Sequence, residues 1–319
     1  MDNKDGIDPE VADFVAAILE EGAQYADLTV GSVVEQRRVA ELLRAKWRVG
    51  GPQMHRVRDM VAAENGRAVR LRLFEPDSST VARPALIYVH GGGFTLFSLD
   101  THDRLMREYA ARAGVLVVGV DYSLSPEARF PVALQEVVAA VDWVHANAEK
   151  LGIDSRRVVI GGDSAGANLS LAACLVLRDR DAIDRIAGVI SNYGFFDAEF
   201  DTTSARLHGG PGKLLTVEEL SGYLDNYLGD LPRTDPLALP SLAELSNLPP
   251  SLHVIPTCDP LADGNRAMVR RLLDAGNDVT FREYPGATHS FLEAVSISTL
   301  AVRALADTSE WLRGLLQMT

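Results

Sequence analysis

Hydrophobic positions near the amino terminus recur at a helical spacing. Val11, Phe14 and Ile18 share one face of a helix, and Val39 with Leu43 repeats the same spacing further along. The pattern predicts that residues 1–50 are helical.

The hydrophobic pattern then changes to short runs that are typical of strands. Residues 69–75 alternate apolar and basic side chains, which indicates a strand with one solvated face. Later runs are almost wholly apolar, which favours strands buried on both faces of a parallel sheet. These predicted strands cover residues 85–90, 115–121, 157–162, 186–191 and 251–256, followed by 279–284.

Helical segments separate the predicted strands, at about residues 102–113, 131–150, 165–178, 262–276 and 292–316. The alternation predicts a layered α/β domain over residues 51–319. Residues 197–245 break it, being rich in Gly, Pro and Asp with one helical piece, VEELSGYLDNYL. We interpret this segment as an insertion over the carboxyl edge of the sheet, where it forms a cap with the helices of residues 1–50.

Composition narrows the class of protein. The 319 residues are 47% hydrophobic and carry a formal net charge of −13, which argues against a nucleic-acid partner. Neither Cys174 nor Cys258 belongs to a C-x-x-C pair, so the sequence indicates no metal site and a reduced, cytoplasmic location. The first residues do not resemble a secretory signal, and no apolar run is long enough for a membrane span.

A candidate nucleophile follows the predicted strand at residues 157–162. Gly162-Asp163-Ser164-Ala165-Gly166 matches G-x-S-x-G and opens a predicted helix, which is the context of a nucleophile elbow. The sharp turn strains the backbone at Ser164 and leaves no room for side chains at Gly162 and Gly166. An idle serine in a surface turn is the alternative.

A serine hydroxyl needs a base and an orienting acid that follow it in the chain. Only three histidines come after Ser164: His208 lies in the insertion and His253 in a buried strand, which leaves His289 in a loop. For the acid, Asp259 follows the strand at residues 251–256. Asp263 is expected to cap the next helix, although an exchange of these two roles stays open.

Three consecutive glycines follow His90 at the end of another predicted strand. Such a run is costly unless backbone N–H groups must approach a ligand closely, here an oxyanion that also accepts from the N–H of Ala165. A phosphate-binding loop is the alternative, but no nucleotide-binding signature is present. His90 itself is expected to be structural.

Five sequence blocks resemble the hormone-sensitive-lipase-like group of α/β-hydrolases. They are HGGGFTLFSLDTHDRLM (90–106), VDYSLSPEARFP (120–131), GDSAGAN (162–168), CDPLAD (258–263) and YPGATHSFL (284–292). They stand in the order of that family. The resemblance implies the α/β-hydrolase fold, with a mostly parallel central sheet flanked by helices and a helical cap.

The resemblance also implies roles for individual residues. The catalytic set is Ser164, Asp259 and His289, with oxyanion donors at Gly92, Gly93 and Ala165. A structural role at the site is expected for His90, Gly91, Gly162, Asp163 and Gly166.

Together these features predict a serine esterase. The resemblance, which is greatest to the bacterial acetyl esterases, implies short, acetyl-like acyl groups. The expected partner is a small-molecule ester, with no cofactor, metal, nucleic acid or membrane involved; a homodimer is left open. Two alternatives remain: a hydrolase of amides or acylated drug-like esters, and a non-catalytic receptor on the same fold.

Overall fold

One sheet organises the fold in the computed structural model, which describes residues 6–29, 31–64, 66–79 and 81–318. Eight strands of these residues pair in the order β1-β2-β4-β3-β5-β6-β7-β8. Their bounds are β1 (Arg56–Glu64), β2 (Arg67–Glu75), β3 (Arg83–Val89), β4 (Leu116–Asp121), β5 (Ile153–Asp163), β6 (Gly188–Asn192), β7 (Ser251–Cys258) and β8 (Val279–Thr288).

The sheet is parallel from β4 to β8, and only β1 and β2 run antiparallel to their neighbours. The prediction of a mostly parallel, buried sheet is confirmed. Strand β1 was missed, because Val57 and Val61 lie on its exposed face while Arg58 lies on the inner one. Its apolar positions therefore do not alternate in the sense that a half-buried strand requires.

Helices cover both faces of the sheet. One core cluster joins the sheet to α5 (Val132–Ala146), α7 (Ala165–Asp179) and α10 (Ala262–Asp274). The other cluster joins it to α4 (Asp103–Ala113) and α11 (Thr299–Leu315). A short helix, α6 (Ala148–Leu151), precedes β5. The carboxyl ends of the parallel strands stay uncovered by these layers, and that edge is where ligands bind in such folds.

The remaining helices precede the sheet or interrupt it. Three lie in the described part of the amino-terminal region: α1 (Pro9–Ala23), α2 (Ala26–Thr29) and α3 (Val33–Arg44). Two lie between β6 and β7: α8 (Thr203–His208) and α9 (Val217–Leu228). Both α3 and α9 begin with a capping box, in which Ser32 pairs with Glu35 and Thr216 with Glu219.

The sequence predicts one helix in the insertion, and the structure has two α-helices there, α8 and α9. Helix α8 spans six residues, too short to show a helical period, although Thr202 caps it through the N–H of Ala205. Among the described residues, no helix is long and apolar enough to cross a lipid bilayer.

Candidate active site

Ser164 lies at the sharp turn between β5 and α7. Its backbone adopts φ 53° and ψ −117°, a conformation that a residue with a side chain rarely takes. Two hydrogen bonds hold it there: its N–H donates to the carbonyl of Asn192 at 2.9 Å, and its carbonyl accepts from the N–H of Phe195 at 3.1 Å. The end of β6 thus fixes the serine at the edge of the sheet.

Glycine on both sides of Ser164 is a steric requirement. A Cβ atom at Gly162 or at Gly166 would collide with the carbonyl oxygen of Val89, at the end of β3. Strand β3 can therefore pass beneath the turn only because these positions have no side chain.

The structure brings together Ser164, His289 and Asp259. The Nε2 atom of His289 lies 3.0 Å from Oγ of Ser164, and its Nδ1 donates to Oδ2 of Asp259 at 2.8 Å. The other carboxylate oxygen of Asp259 accepts from the N–H of Leu261 at 2.8 Å. All three side chains are buried, with at most 6% of each residue exposed. The arrangement is a continuous path for a proton from the serine hydroxyl to an imidazole that a carboxylate orients.

Asp263 lies away from this path, and the prediction that it caps the helix after β7, α10, is wrong. Helix α10 begins at Ala262, so Asp263 is inside its first turn. Its Oδ2 accepts from the N–H of Ser204 at 2.9 Å, and its Oδ1 pairs with Arg266 at 3.0 Å. Asp263 thus joins α8 to α10.

The other histidines near the site are held in different surroundings. His90 is buried, donates through Nδ1 to the carbonyl of Gly91 at 2.7 Å, and stacks on Tyr122 with ring centres 4.4 Å apart. Burial lowers the pKa of His90 to about 3, so this ring is neutral at pH 7. His253 is buried within β7, where its Nε2 atom lies 3.2 Å from Oγ of Ser251.

The glycine loop after β3 faces Ser164. Gly92 and Gly93 have φ values of +112° and +58°, and a Cβ atom would collide with the carbonyl of Leu96 at the first and with the ring of Tyr223 at the second. Among the described residues, none accepts a hydrogen bond from the N–H of Gly92, Gly93 or Ala165. These three donors are available to a ligand.

Asp163 connects this loop to the serine turn, through partners that sequence reasoning missed. Its Oδ1 accepts from the hydroxyl of Tyr88 at 2.8 Å and from the N–H of Gly91 at 3.2 Å, while Oδ2 lies 3.3 Å from Nε2 of His102. Burial opposes ionisation of both groups. Their attraction nevertheless holds the pKa of Asp163 below its ordinary value and that of His102 above it. The only sequence signal for His102 was its place in the block at 90–106.

A small cavity of about 60 Å³ lies beside Ser164, and its lining includes Gly92, Gly93, Phe195, Tyr223 and His289. A groove of about 700 Å³ lies next to it, between α1, α3 and α9. The two share the lining residues Arg44, Leu96, Phe97, Leu214 and Tyr223. No group of three or more metal-ligating side chains stands close enough to hold an ion among the described residues.

The elbow, the glycine loop and the sheet order define the class of protein. The chain belongs to the family of the alpha/beta hydrolase fold, which it matches over residues 86–293, and within that family to the hormone-sensitive-lipase-like group.

Three solved structures illustrate what the chain is similar to. An esterase of Pyrobaculum calidifontis is 29% identical, with 97% of this chain and 99% of that one covered and a TM-score of 0.87. An esterase of Rhizomucor miehei is also 29% identical, with 98% of each chain covered and a TM-score of 0.89. An ester hydrolase from the metagenome of Lake Arreo is 26% identical, with 98% of this chain and 100% of that one covered and a TM-score of 0.90.

Proposed function

We propose that the chain is a serine carboxylesterase that hydrolyses esters of short acyl groups through an acyl-enzyme. One observation carries the proposal: the hydrogen-bonded series Ser164, His289 and Asp259 ends beside the available N–H groups of the glycine loop. Nucleophile, base and oxyanion donors therefore surround one point at which an ester carbonyl fits.

In the first half of the reaction, Oγ of Ser164 forms a bond to the carbonyl carbon while its proton passes to Nε2 of His289. The negative charge that develops on the carbonyl oxygen is stabilised by the N–H groups of Gly92, Gly93 and Ala165, and each such donor contributes about 3 kcal/mol to the transition state. The bond to the alcohol then breaks, and His289 gives its proton to the departing oxygen.

In the second half, water replaces the alcohol. His289 takes a proton from the water as its oxygen attacks the acyl carbon, and returns that proton to Oγ of Ser164 when the carboxylic acid leaves. Asp259 keeps Nδ1 of the imidazole protonated and stabilises the imidazolium that forms twice in each cycle.

The proposal includes a cap formed by residues 1–50 and 197–245, within which the described helices are α1–α3, α8 and α9. The groove between α1, α3 and α9 supports it, because this groove shares lining residues with the cavity at Ser164. The small volume beside the serine, about 60 Å³, supports the preference for short acyl groups.

Hydrolysis rates across p-nitrophenyl esters from acetate to palmitate test the proposal. We expect the highest kcat/KM among the short acyl groups, and a Ser164→Ala variant that folds normally but has lost nearly all activity. A rapid initial release of p-nitrophenol by the wild type, equal in amount to the enzyme, would report formation of the acyl-enzyme. A maximum at palmitate would contradict the short-chain preference, and a wild type that hydrolyses none of these esters would contradict the esterase itself.

A further inference from the structure

Arg44 is a buried cation at the boundary between the small cavity and the groove. It is the last residue of α3, and 6% of it is exposed. It lines both the cavity that contains Ser164 and the larger groove. The reaction mechanism described above makes no use of this charge.

Only one edge of the Arg44 guanidinium is occupied by protein. Its Nε lies 2.5 Å from Oε2 of Glu293, and the group lies over the ring of Phe97, 4.9 Å from its centre. Nε is closed off from solvent, whereas Nη1 and Nη2 are not. No described residue accepts a hydrogen bond from either Nη atom, so both are available to a molecule in the cavity.

The charges around Arg44 decide which kind of group suits it. Glu293, 7% exposed, already balances the guanidinium charge, and the groove also contains Glu219 and Asp225. A carboxylate on the substrate would bring a second negative charge to a buried pair that is already neutral, at a large desolvation cost. An uncharged oxygen accepts a hydrogen bond from the cation without that cost, and such bonds are stronger than those between neutral groups.

We propose that Arg44 is a specificity-determining residue that binds an uncharged oxygen acceptor of the substrate, a ketone, ether or hydroxyl oxygen at a distance from the ester carbonyl. The inference rests on the proposed esterase activity, because it assigns a substrate class to the same site. The acceptor belongs to the acyl or to the alcohol part of the ester, and two substrate pairs distinguish these positions.

The experiment compares p-nitrophenyl 4-oxopentanoate with p-nitrophenyl pentanoate for the acyl part, and 4-oxopentyl acetate with pentyl acetate for the alcohol part. We expect the wild type to prefer the ketone in one pair by about tenfold or more in kcat/KM, the effect of one hydrogen bond to a charged group. The preference should fall to near one in Arg44→Met/Glu293→Gln. Using the double variant avoids an unpaired buried carboxylate, which Arg44→Met alone would leave.

Arg48→Met is the matched control. Arg48 lies just after α3 and, like Arg44, pairs with a glutamate, Glu41 at 3.4 Å, but it does not line the cavity at Ser164. It should keep the ketone preference. The inference would be overturned if the wild type and the double variant preferred the ketone esters to the same extent. It would also be overturned if the wild type hydrolysed p-nitrophenyl hydrogen glutarate, which carries a carboxylate, with a higher kcat/KM than p-nitrophenyl 4-oxopentanoate. Failure of the esterase proposal looks different, since the wild type would then hydrolyse neither member of any pair.

Discussion

The carboxylate of Asp163 accepts a hydrogen bond from the N–H of Gly91, at 3.2 Å. The two residues adjoin the two halves of the site, since Asp163 precedes Ser164 and Gly91 precedes Gly92 and Gly93 of the glycine loop. A Cβ atom on Gly91 would collide with the same carboxylate. The serine turn and the loop therefore hold each other in position.

Replacing Asp163 by asparagine should displace the glycine loop and thereby lower kcat, while leaving substrate binding almost unchanged. The amide has one accepting oxygen, whereas Asp163 uses two, toward Tyr88 with Gly91 and toward His102. We expect Asp163→Asn to lower kcat for p-nitrophenyl butyrate by about tenfold or more, the range for a displaced oxyanion donor, with a small change in KM. Tyr88→Phe is the control, since it removes one donor and keeps the carboxylate. A variant that melts earlier but keeps its kcat would show that Asp163 serves stability alone.

Asp259 and Asp263 follow the same strand and are separated by three residues, so they form a matched pair. Asp259→Asn should reduce kcat by about 10³–10⁴, because an amide no longer fixes the tautomer of the His289 ring. Asp263→Asn should leave kcat within about twofold and lower the melting temperature, since it weakens the contact between α8 and α10. Steady-state kinetics and thermal melts of both variants check this. The reverse ranking of the two kcat values would assign the orienting role to Asp263.

His253 should make the fold sensitive to acid. Burial lowers its pKa from 6.5 to about 4 in the folded chain, so between these values the unfolded chain binds the extra proton and the folded one does not. Stability from this group is complete above pH 6.5 and falls as the pH drops, by about 2 kcal/mol between pH 7 and pH 5. Urea unfolding at both pH values measures it. In His253→Leu, the change in unfolding free energy between pH 7 and pH 5 should be smaller by that amount. An equal change in both proteins would show that His253 is not the source of the acid sensitivity.

Sequence reasoning succeeded where a local pattern forces a structure. The parallel strands β3 to β7 can be recognised in the sequence as apolar runs, because both of their faces are buried. The serine turn is visible because two glycines must flank it, and His289 could be selected because only three histidines follow Ser164.

Predictions from the sequence failed where the deciding contact comes from a distant part of the chain. Asp263 has the sequence context of a helix cap, yet its carboxylate binds the N–H of Ser204, on a helix too short to predict. Arg44 belongs to a helical pattern that looks like any amphipathic surface. Nothing local reveals that Arg44 pairs with Glu293, far along the chain, or that it lines the same cavity as Ser164.

Arg37, on α3, connects the amino-terminal helices to the loops around the site. Its Nε donates to the carbonyl of Thr95 and its Nη2 to that of Ser125, both at 2.8 Å, and the guanidinium also pairs with Glu127 at 2.6 Å. Thr95 closely follows Gly92 and Gly93, the proposed oxyanion donors. One side chain thus bonds the proposed cap to the glycine loop that the proposed reaction uses.

Arg37→Met should loosen the cap and lower activity together. It removes two hydrogen bonds from a cation to buried carbonyls, each worth about 1.5–3 kcal/mol, so we expect faster proteolysis within residues 9–44 and a lower kcat/KM for p-nitrophenyl butyrate. Glu127→Gln is the control, because 57% of that side chain is exposed and its ion pair is worth less than about 1 kcal/mol. If the two variants were cleaved at the same rate, the carbonyl contacts of Arg37 would not be what holds α3 against the site.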